Sequence, residues 1–277
     1  MKLQGKLKGL LQNKLTILSL TILGLVFLAG ALAPVLAPND PTLVSLESKF
    51  MSPGAQFPLG TDHLGRCILS RLMYGAMVSL GSALIVMVIT IVISAIIGTL
   101  SGYAGGWVDS LLMRTCDVIL AVPNLVLTLV IVGMLGPSLV NVIIAMVAVQ
   151  WVWYARIIRG MVLSLKERSF ILSARVAGTP PWLIIIRHIF PNIIPYIVVL
   201  ATLDLGMVIL HISGLSFLGL GVQPPTPEWG AMLNDAKQFL RSDPILIMYP
   251  GTMILLVVMS FNLLGDALRD VIEYHES

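Results

Sequence analysis

Charged side chains are scarce in this sequence. Asp, Glu, Lys and Arg make up 11% of its 277 residues, against about a quarter in an ordinary soluble domain. That deficit excludes a water-soluble globular fold. The net charge of +3 is too small to point to nucleic acid as a partner. The two cysteines, Cys67 and Cys116, make no disulfide framework, and they are expected near opposite faces of a membrane. There is no GxxxxGK[ST] phosphate loop, so ATP is not bound by that route. HExxH, CxxC and GxSxG are missing as well, and no catalytic constellation replaces them, so the chain is not read as an enzyme.

Apolar residues are abundant instead. They form 57% of the chain, with a mean hydropathy of +0.95. A helix crossing the hydrocarbon core needs about 20 residues at ~1.5 Å each. Six stretches qualify: 15–37, 79–101, 115–135, 139–158, 192–214 and 248–268. The reading is an all-α, polytopic membrane protein with six transmembrane helices. Lys and Arg orient it, because cytoplasmic segments carry the excess. With both termini cytoplasmic, only Lys49, Arg66, Arg71, Lys237 and Arg241 of the 17 Lys and Arg residues fall outside. The organisation is then a basic N-terminus over 1–14, a first helix over 15–37, an outer loop over 38–78, a five-helix core over 79–268 and a tail over 269–277. The core carries a cytoplasmic loop over 159–191 and an outer amphipathic segment over 222–247. Six spans leave no room for six-plus-six inverted repeats.

The densest positive charge lies in Arg156–Pro191, with Arg156, Arg159, Lys166, Arg168, Arg175 and Arg187 against the single acid Glu167. Small residues to Gly178, then Pro180 and Pro181, predict a helix, a sharp turn and a second helix up to Pro191. Such an exposed element suits a groove on a soluble partner; an interfacial loop on the anionic leaflet is the alternative.

The outer loop carries LGTDHLGR over 59–66. Thr61 or Asp62 is read as the cap of a short interfacial helix. His63 and Arg66 are read as its solvated face, or as contacts to a partner. Further on, Thr226 as N-cap, Pro227 in the first turn and Glu228 near the helix dipole predict a helix start before Trp229. In the third span, Asp117 is expected to pair with Arg114 one turn away, and Pro123 to kink the helix. Trp151, Trp153 and Tyr154 read as an interfacial aromatic belt.

Within the fifth span stand Asp204, Met207 and His211. Ionisable residues inside a span are costly and mark a functional site by default. At spacings of three and seven they share one helix face over about 10.5 Å. Interhelical hydrogen bonding is the structural alternative. One carboxylate and one imidazole do not bind a bare metal ion tightly, but transient contact along a pathway needs no more.

The basic loop also carries SARVAG over 173–178 and RHIFPN over 187–192, which resemble the coupling loop of ABC importer permeases. LGTDHLGR, SFLGLG over 216–221 and PPTPEWGAML over 224–233 narrow the likeness to the second permease subunit of the dipeptide, oligopeptide and nickel transporters. Leu172 stands where the family's glutamate usually opens the coupling motif, Cys67 where Asp is common and Met77 where Arg is common. Ile212 replaces a glutamate usual in the peptide branch. With Glu228, Asp204 and His211, the chain looks closer to the nickel branch.

The resemblance implies a type I ABC importer permease fold in a bacterial cytoplasmic (inner) membrane. It implies a homologous second permease, two ABC ATPase subunits and an extracytoplasmic substrate-binding protein as partners. ATP and Mg would belong to the ATPases, with no cofactor in this chain. Leu172, Ser173, Ala174, Gly178, Thr179, Pro180, Arg187 and Pro191 would couple to the ATPase. Asp204, Met207 and His211 would line the pathway, Asp204 and His211 touching the metal transiently. Asp62, His63, Arg66, Glu228 and Trp229 would face the binding protein. The expected cargo is nickel as a chelate. Di- or oligopeptides or another metal chelate are the alternatives within the family, and an ion-gradient carrier or channel the alternative from another class.

Overall fold

A computed structural model describes residues 13–273, with side chains to 271; the expected basic cluster of Lys2, Lys6 and Lys8 and the last four residues of the tail lie outside them. The described residues form helices α1 (Lys14–Ala31), α2 (Ala33–Leu36), α3 (Ile68–Ala104), α4 (Gly106–Leu120), α5 (Asn124–Leu135) and α6 (Leu139–Lys166). They continue with α7 (Ser169–Val176), α8 (Pro181–Ile184), α9 (Phe190–Phe217), α10 (Trp229–Ala236) and α11 (Ile245–Glu273). Five helical segments are long and apolar enough to cross a membrane, and α4 with α5 makes a sixth if that bent pair is one span.

The helix ends differ from the expectations for local reasons. Asn13 caps α1, its side chain accepting from Leu15 N at 2.9 Å. The first apolar run breaks at Leu32 because Pro34 in the first turn of α2 cannot donate to the turn before it. The second span begins at Ile68 and not near residue 79, and runs 37 residues. At about 55 Å it is far longer than a hydrocarbon core of about 30 Å. The expected interfacial helix capped by Thr61 or Asp62 does not form. Residues 61 and 67 bridge each other across a turn, and the Asp62 carboxylate is occupied by Leu64 N at 2.9 Å and Arg66 N at 3.0 Å. The third span starts at Gly106 and not near 115, and bends by 83° between α4 and α5, at Ala121–Pro123. At α10 the cap is Glu228, not Thr226: its carboxylate accepts from Gly230 N and Ala231 N, both at 2.9 Å. A π turn over Ile185–Ile189 leads into α9, just before Pro191, whose ring cannot join a regular ladder. The second helix of the basic loop thus continues into the fifth span.

The most extensive packing joins α3 and α6. Small residues permit it, as packing in lipid requires. A Cβ added at Gly98 would stand 2.5 Å from the Ala155 carbonyl oxygen, and one at Gly102 2.9 Å from that of Arg159. Ser94 in the same stripe donates to the Trp151 carbonyl at 2.7 Å. Gly98→Val should therefore push the two helices apart and cost about 1–3 kcal/mol, read as a lower thermal midpoint of the purified protein; Gly81→Ala, with open space around it, should leave the midpoint unchanged.

Polarity is inverted relative to a soluble domain. Ser70, Arg71, Thr90, Ser94, Ser101 and Glu228 are buried, while Leu25, Val88, Ile96 and Val140 are exposed. An apolar exterior matches a lipid solvent, and most of these buried polar groups find a backbone or side-chain partner inside the protein, the Thr90 hydroxyl being without one among the described residues. One core centres on Leu72, Val86, Ile209, Trp229 and Val257. A second, smaller one is built from Ile158, Val162, Ile171, Ile184, Ile189 and Ile193, and it anchors the basic loop.

Candidate functional site: one cavity, one exposed hairpin and one buried clamp

The cavity forms where three helices meet. Asp204, Met207 and His211 lie on one face of α9, as their spacing predicts, and all three line an opening of about 190 Å³. The remaining walls are Gln150 and Trp153 from α6 and Asn124 from α5. Asn124 arrives only because the chain turns through 83° just before it. Tyr154 is buried, 2% exposed, and its hydroxyl donates to the Asp204 carboxylate. Tyr154 is thus not part of an interfacial belt; it fixes the Asp204 carboxylate from the neighbouring helix. The Gln150 carbonyl oxygen is buried and has no hydrogen-bond partner among the described residues. Among the described residues no three His, Cys, Asp or Glu side chains group to hold a metal ion.

At the far end of α3 and α6 the basic loop projects as a hairpin. Its charge is partly spent inside the protein. Arg159 binds Asp109 through two bonds, at 2.5 and 2.6 Å, and Lys166 donates to the Gly102 carbonyl at 3.0 Å. Arg156, not Arg114, pairs with Asp117, because α6 packs against α4. The free part is α7, the turn and α8. Thr179 N donates to the Ala174 carbonyl at 3.1 Å, closing the helix end through Gly178, whose φ of +78° favours a residue without Cβ. Pro180 then caps α8. Leu172, Ser173, Gly178, Pro180, Arg187 and Pro191 are exposed, and Ala174 and Thr179 half-buried. Around them Val176 is 91% and Trp182 62% exposed, an apolar surface that the charge pattern alone did not reveal. Ile171 and Ile184, both fully buried, hold the hairpin to the bundle. Arg175 stacks over the Tyr103 ring, 5.1 Å from its centre.

At the other end of α3, LGTDHLGR is tied to α10, the helix that PEWG opens. Arg66 Nε donates to Asp62 at 2.6 Å and its Nη2 to Asp235 of α10 at 2.8 Å. Arg71 approaches the same two carboxylates at 3.7 and 3.5 Å and donates to the Pro41 carbonyl at 3.3 Å. Two guanidiniums and two carboxylates thus neutralise each other across 169 residues of sequence. Glu228 is completely buried and accepts a third bond from the Ser79 hydroxyl at 3.1 Å. The Trp229 indole donates to the Leu72 carbonyl at 3.1 Å. The solvated face expected for Arg66 is therefore wrong. Asp62, Arg66, Glu228 and Trp229 are buried within the chain, and their side chains lock the fold here. His63 remains half-buried, stacked on Phe239 at 5.2 Å, and burial holds its imidazole below the usual range. Cys67 and Cys116 are both buried and free.

Comparison with known proteins agrees with this architecture. The model of binding-protein-dependent transport system inner membrane components matches residues 94–275. That of the N-terminal TM domain of oligopeptide transport permease C matches residues 4–56. The nickel transport system permease protein NikC of Escherichia coli (strain K12) is 44% identical over 258 residues, 93% of each chain. The dipeptide transport system permease protein DppC of Alkalihalophilus pseudofirmus is 40% identical over 266 residues, 96% of this chain and 88% of that one. The probable D,D-dipeptide transport system permease protein DdpC of Escherichia coli (strain K12) is 37% identical over 272 residues, 98% of this chain and 90% of that one. A family of this kind works with ATPase and substrate-binding partners and leaves no place for the gradient-driven carrier or channel. The chain belongs to the binding-protein-dependent inner membrane components, and within them to the ABC importer permeases of the dipeptide, oligopeptide and nickel group: a non-enzymatic, membrane-spanning subunit.

Proposed function

We propose that this permease passes nickel, carried as a chelate, from an extracytoplasmic binding protein to the cytoplasm. It would do so beside a homologous second permease and above two ATPase subunits that hold ATP and Mg. The observation that carries the reading is the shared cavity of Asp204, Met207 and His211 on α9. A carboxylate, a thioether and an imidazole there meet a metal complex weakly and in sequence along the helix. Too few donors converge to strip and keep the ion, which suits passage and not storage. The likeness to a nickel permease at 44% identity supports the same cargo. In this reading the hairpin 169–184 lies in the cytoplasm and receives the movement of the ATPases.

The 40% identity to a dipeptide permease favours a second reading, with Asp204 meeting a peptide's amino terminus. Uptake of radiolabelled nickel and of a labelled dipeptide, in cells with and without this chain, separates the two. Loss of nickel uptake alone is expected; loss of dipeptide uptake alone would overturn the cargo.

His211→Ala should then lower nickel uptake about tenfold or more with the complex still assembled, the scale of one lost polar contact. Asp204→Asn keeps an acceptor for Tyr154 and removes the charge. It should also slow nickel without unfolding the bundle. Normal uptake by both variants would make these residues packing groups only.

A further inference from the structure

Helix α4 carries a face that the described residues leave uncovered. Trp107, Leu111, Arg114 and Val118 follow the helical period and so form one stripe. All four are exposed, Trp107 by 75%, while Cys116 on the opposite face is buried. Three bulky apolar side chains and one cation on a single helix face are the composition of a segment that lies in a membrane interface. Tryptophan and arginine both suit the headgroup level, each with an apolar body and a polar end.

The ion pairs of α4 give its depth. Asp117 pairs with Arg156 and Asp109 with Arg159, both arginines on α6. The two acids stand about 12 Å apart along α4, whereas the two arginines stand about 4.5 Å apart along α6. Helix α4 therefore crosses α6 and does not run alongside it, in keeping with its 83° bend to α5. The crossing lies about 26–30 Å along α6 from its first residue, Leu139. A hydrocarbon core is about 30 Å thick, so α4 meets α6 at the membrane boundary on the side of the hairpin.

Arg114 is left without a counter-charge in this position. The acid one turn away, Asp117, is held by Arg156, and Arg114 makes no ion pair among the described residues. An anionic headgroup supplies the missing charge there; a zwitterionic one brings no net charge.

We propose that the stripe of Trp107, Leu111, Arg114 and Val118 is a lipid-binding surface, with the Arg114 guanidinium on the phosphate of an anionic phospholipid of the inner leaflet and the three apolar side chains against its upper acyl carbons. The choice of leaflet rests on the reading that puts the hairpin in the cytoplasm; the class of lipid does not.

The test uses the assembled importer in proteoliposomes of phosphatidylcholine, with brominated phosphatidylglycerol or brominated phosphatidylcholine as the probe. Trp107 fluorescence is taken as the difference between the wild type and Trp107→Phe. Brominated phosphatidylglycerol should quench it at about fivefold lower lipid fraction than brominated phosphatidylcholine, the effect of one arginine at an anionic surface. Arg114→Gln should abolish that preference and Arg114→Lys should keep it. The thermal midpoint should stay at the wild-type value in both, because no ion pair within the protein is lost. Equal quenching by the two lipids overturns the recognition of charge. No quenching by either means that a protein subunit covers the stripe, which overturns the proposal as well. A fall in the midpoint of Arg114→Gln also overturns it and assigns the side chain to the fold. Orientation has its own readout. Ala55→Cys, at an exposed position of the loop at the opposite end of α3 from the hairpin, should react with an impermeant maleimide in intact cells, where the native Cys67 and Cys116 are buried. Reaction only in inverted membrane vesicles would overturn the cytoplasmic hairpin and the inner leaflet with it, while the lipid preference would stand.

Discussion

Arg66→Met is expected to take away a large part of the permease's folding stability. Arg66 is 2% exposed and joins Asp62 to Asp235 with bonds of 2.6 and 2.8 Å. Its loss leaves two carboxylates sharing the more distant Arg71, at 3.7 and 3.5 Å. Breaking a buried pair from one side costs about 3–5 kcal/mol, a large part of the 5–15 kcal/mol that usually separates folded from unfolded states. The thermal midpoint of detergent-purified protein should fall by on the order of 10 °C, and membrane levels should fall with it. Arg66→Lys should recover only part of this, since an ammonium cannot reproduce the fork that serves both acids. An unchanged midpoint in Arg66→Met would mean that Arg71 alone neutralises the site. His63→Ala, on the partly exposed rim, should cost far less.

Val176→Asp is expected to separate the permease from its ATPase without disturbing the fold. Val176 is 91% exposed, and Trp182 and Leu172 of the same hairpin are 62% and 46% exposed, so the substitution removes no internal packing. An unpaired carboxylate in a desolvated contact costs well over 1 kcal/mol, and association should weaken at least about tenfold. Co-purification of the ATPase subunits and stimulation of ATP hydrolysis are the readouts, with the thermal midpoint as the control. Retained co-purification and stimulation would mean that this face meets lipid headgroups, and that docking uses the Arg168 and Arg175 side instead. Leu172, in the place of the family's usual glutamate, makes the test sharper: the surface here is apolar where a salt bridge was to be expected.

The cavity was half legible in the sequence. Asp204, Met207 and His211 are visible because polar groups in an apolar run stand out and their spacing follows the helical period. Gln150, Asn124 and Trp153 were not, because each is unremarkable within its own helix and becomes part of the site only when α5, α6 and α9 meet. Tyr154 carried a misleading signal: next to Trp151 and Trp153 it reads as an interfacial belt, yet it is buried and bound to Asp204. The first outer motif misled in the opposite way. LGTDHLGR reads as a solvated face because it is polar and lies between spans, and PEWG reads as a helix start. The charges of LGTDHLGR are instead buried against Arg71 and against Asp235, 169 residues from Arg66, and Glu228 is buried as the cap of α10.

What the sequence by itself determined is the part governed by local chemistry: the existence of apolar helical spans, though not their lengths, a basic loop, a bend at Pro123, and the polar triplet on α9. The tertiary structure alone decided which charges are spent within the protein, which apolar residues of the hairpin remain free, and what completes the cavity. The physical reason is the same in each case. Hydropathy and helical period act along the chain, whereas neutralising a buried charge or leaving an acceptor unpaired depends on which distant helix stands opposite, and only packing supplies that neighbour.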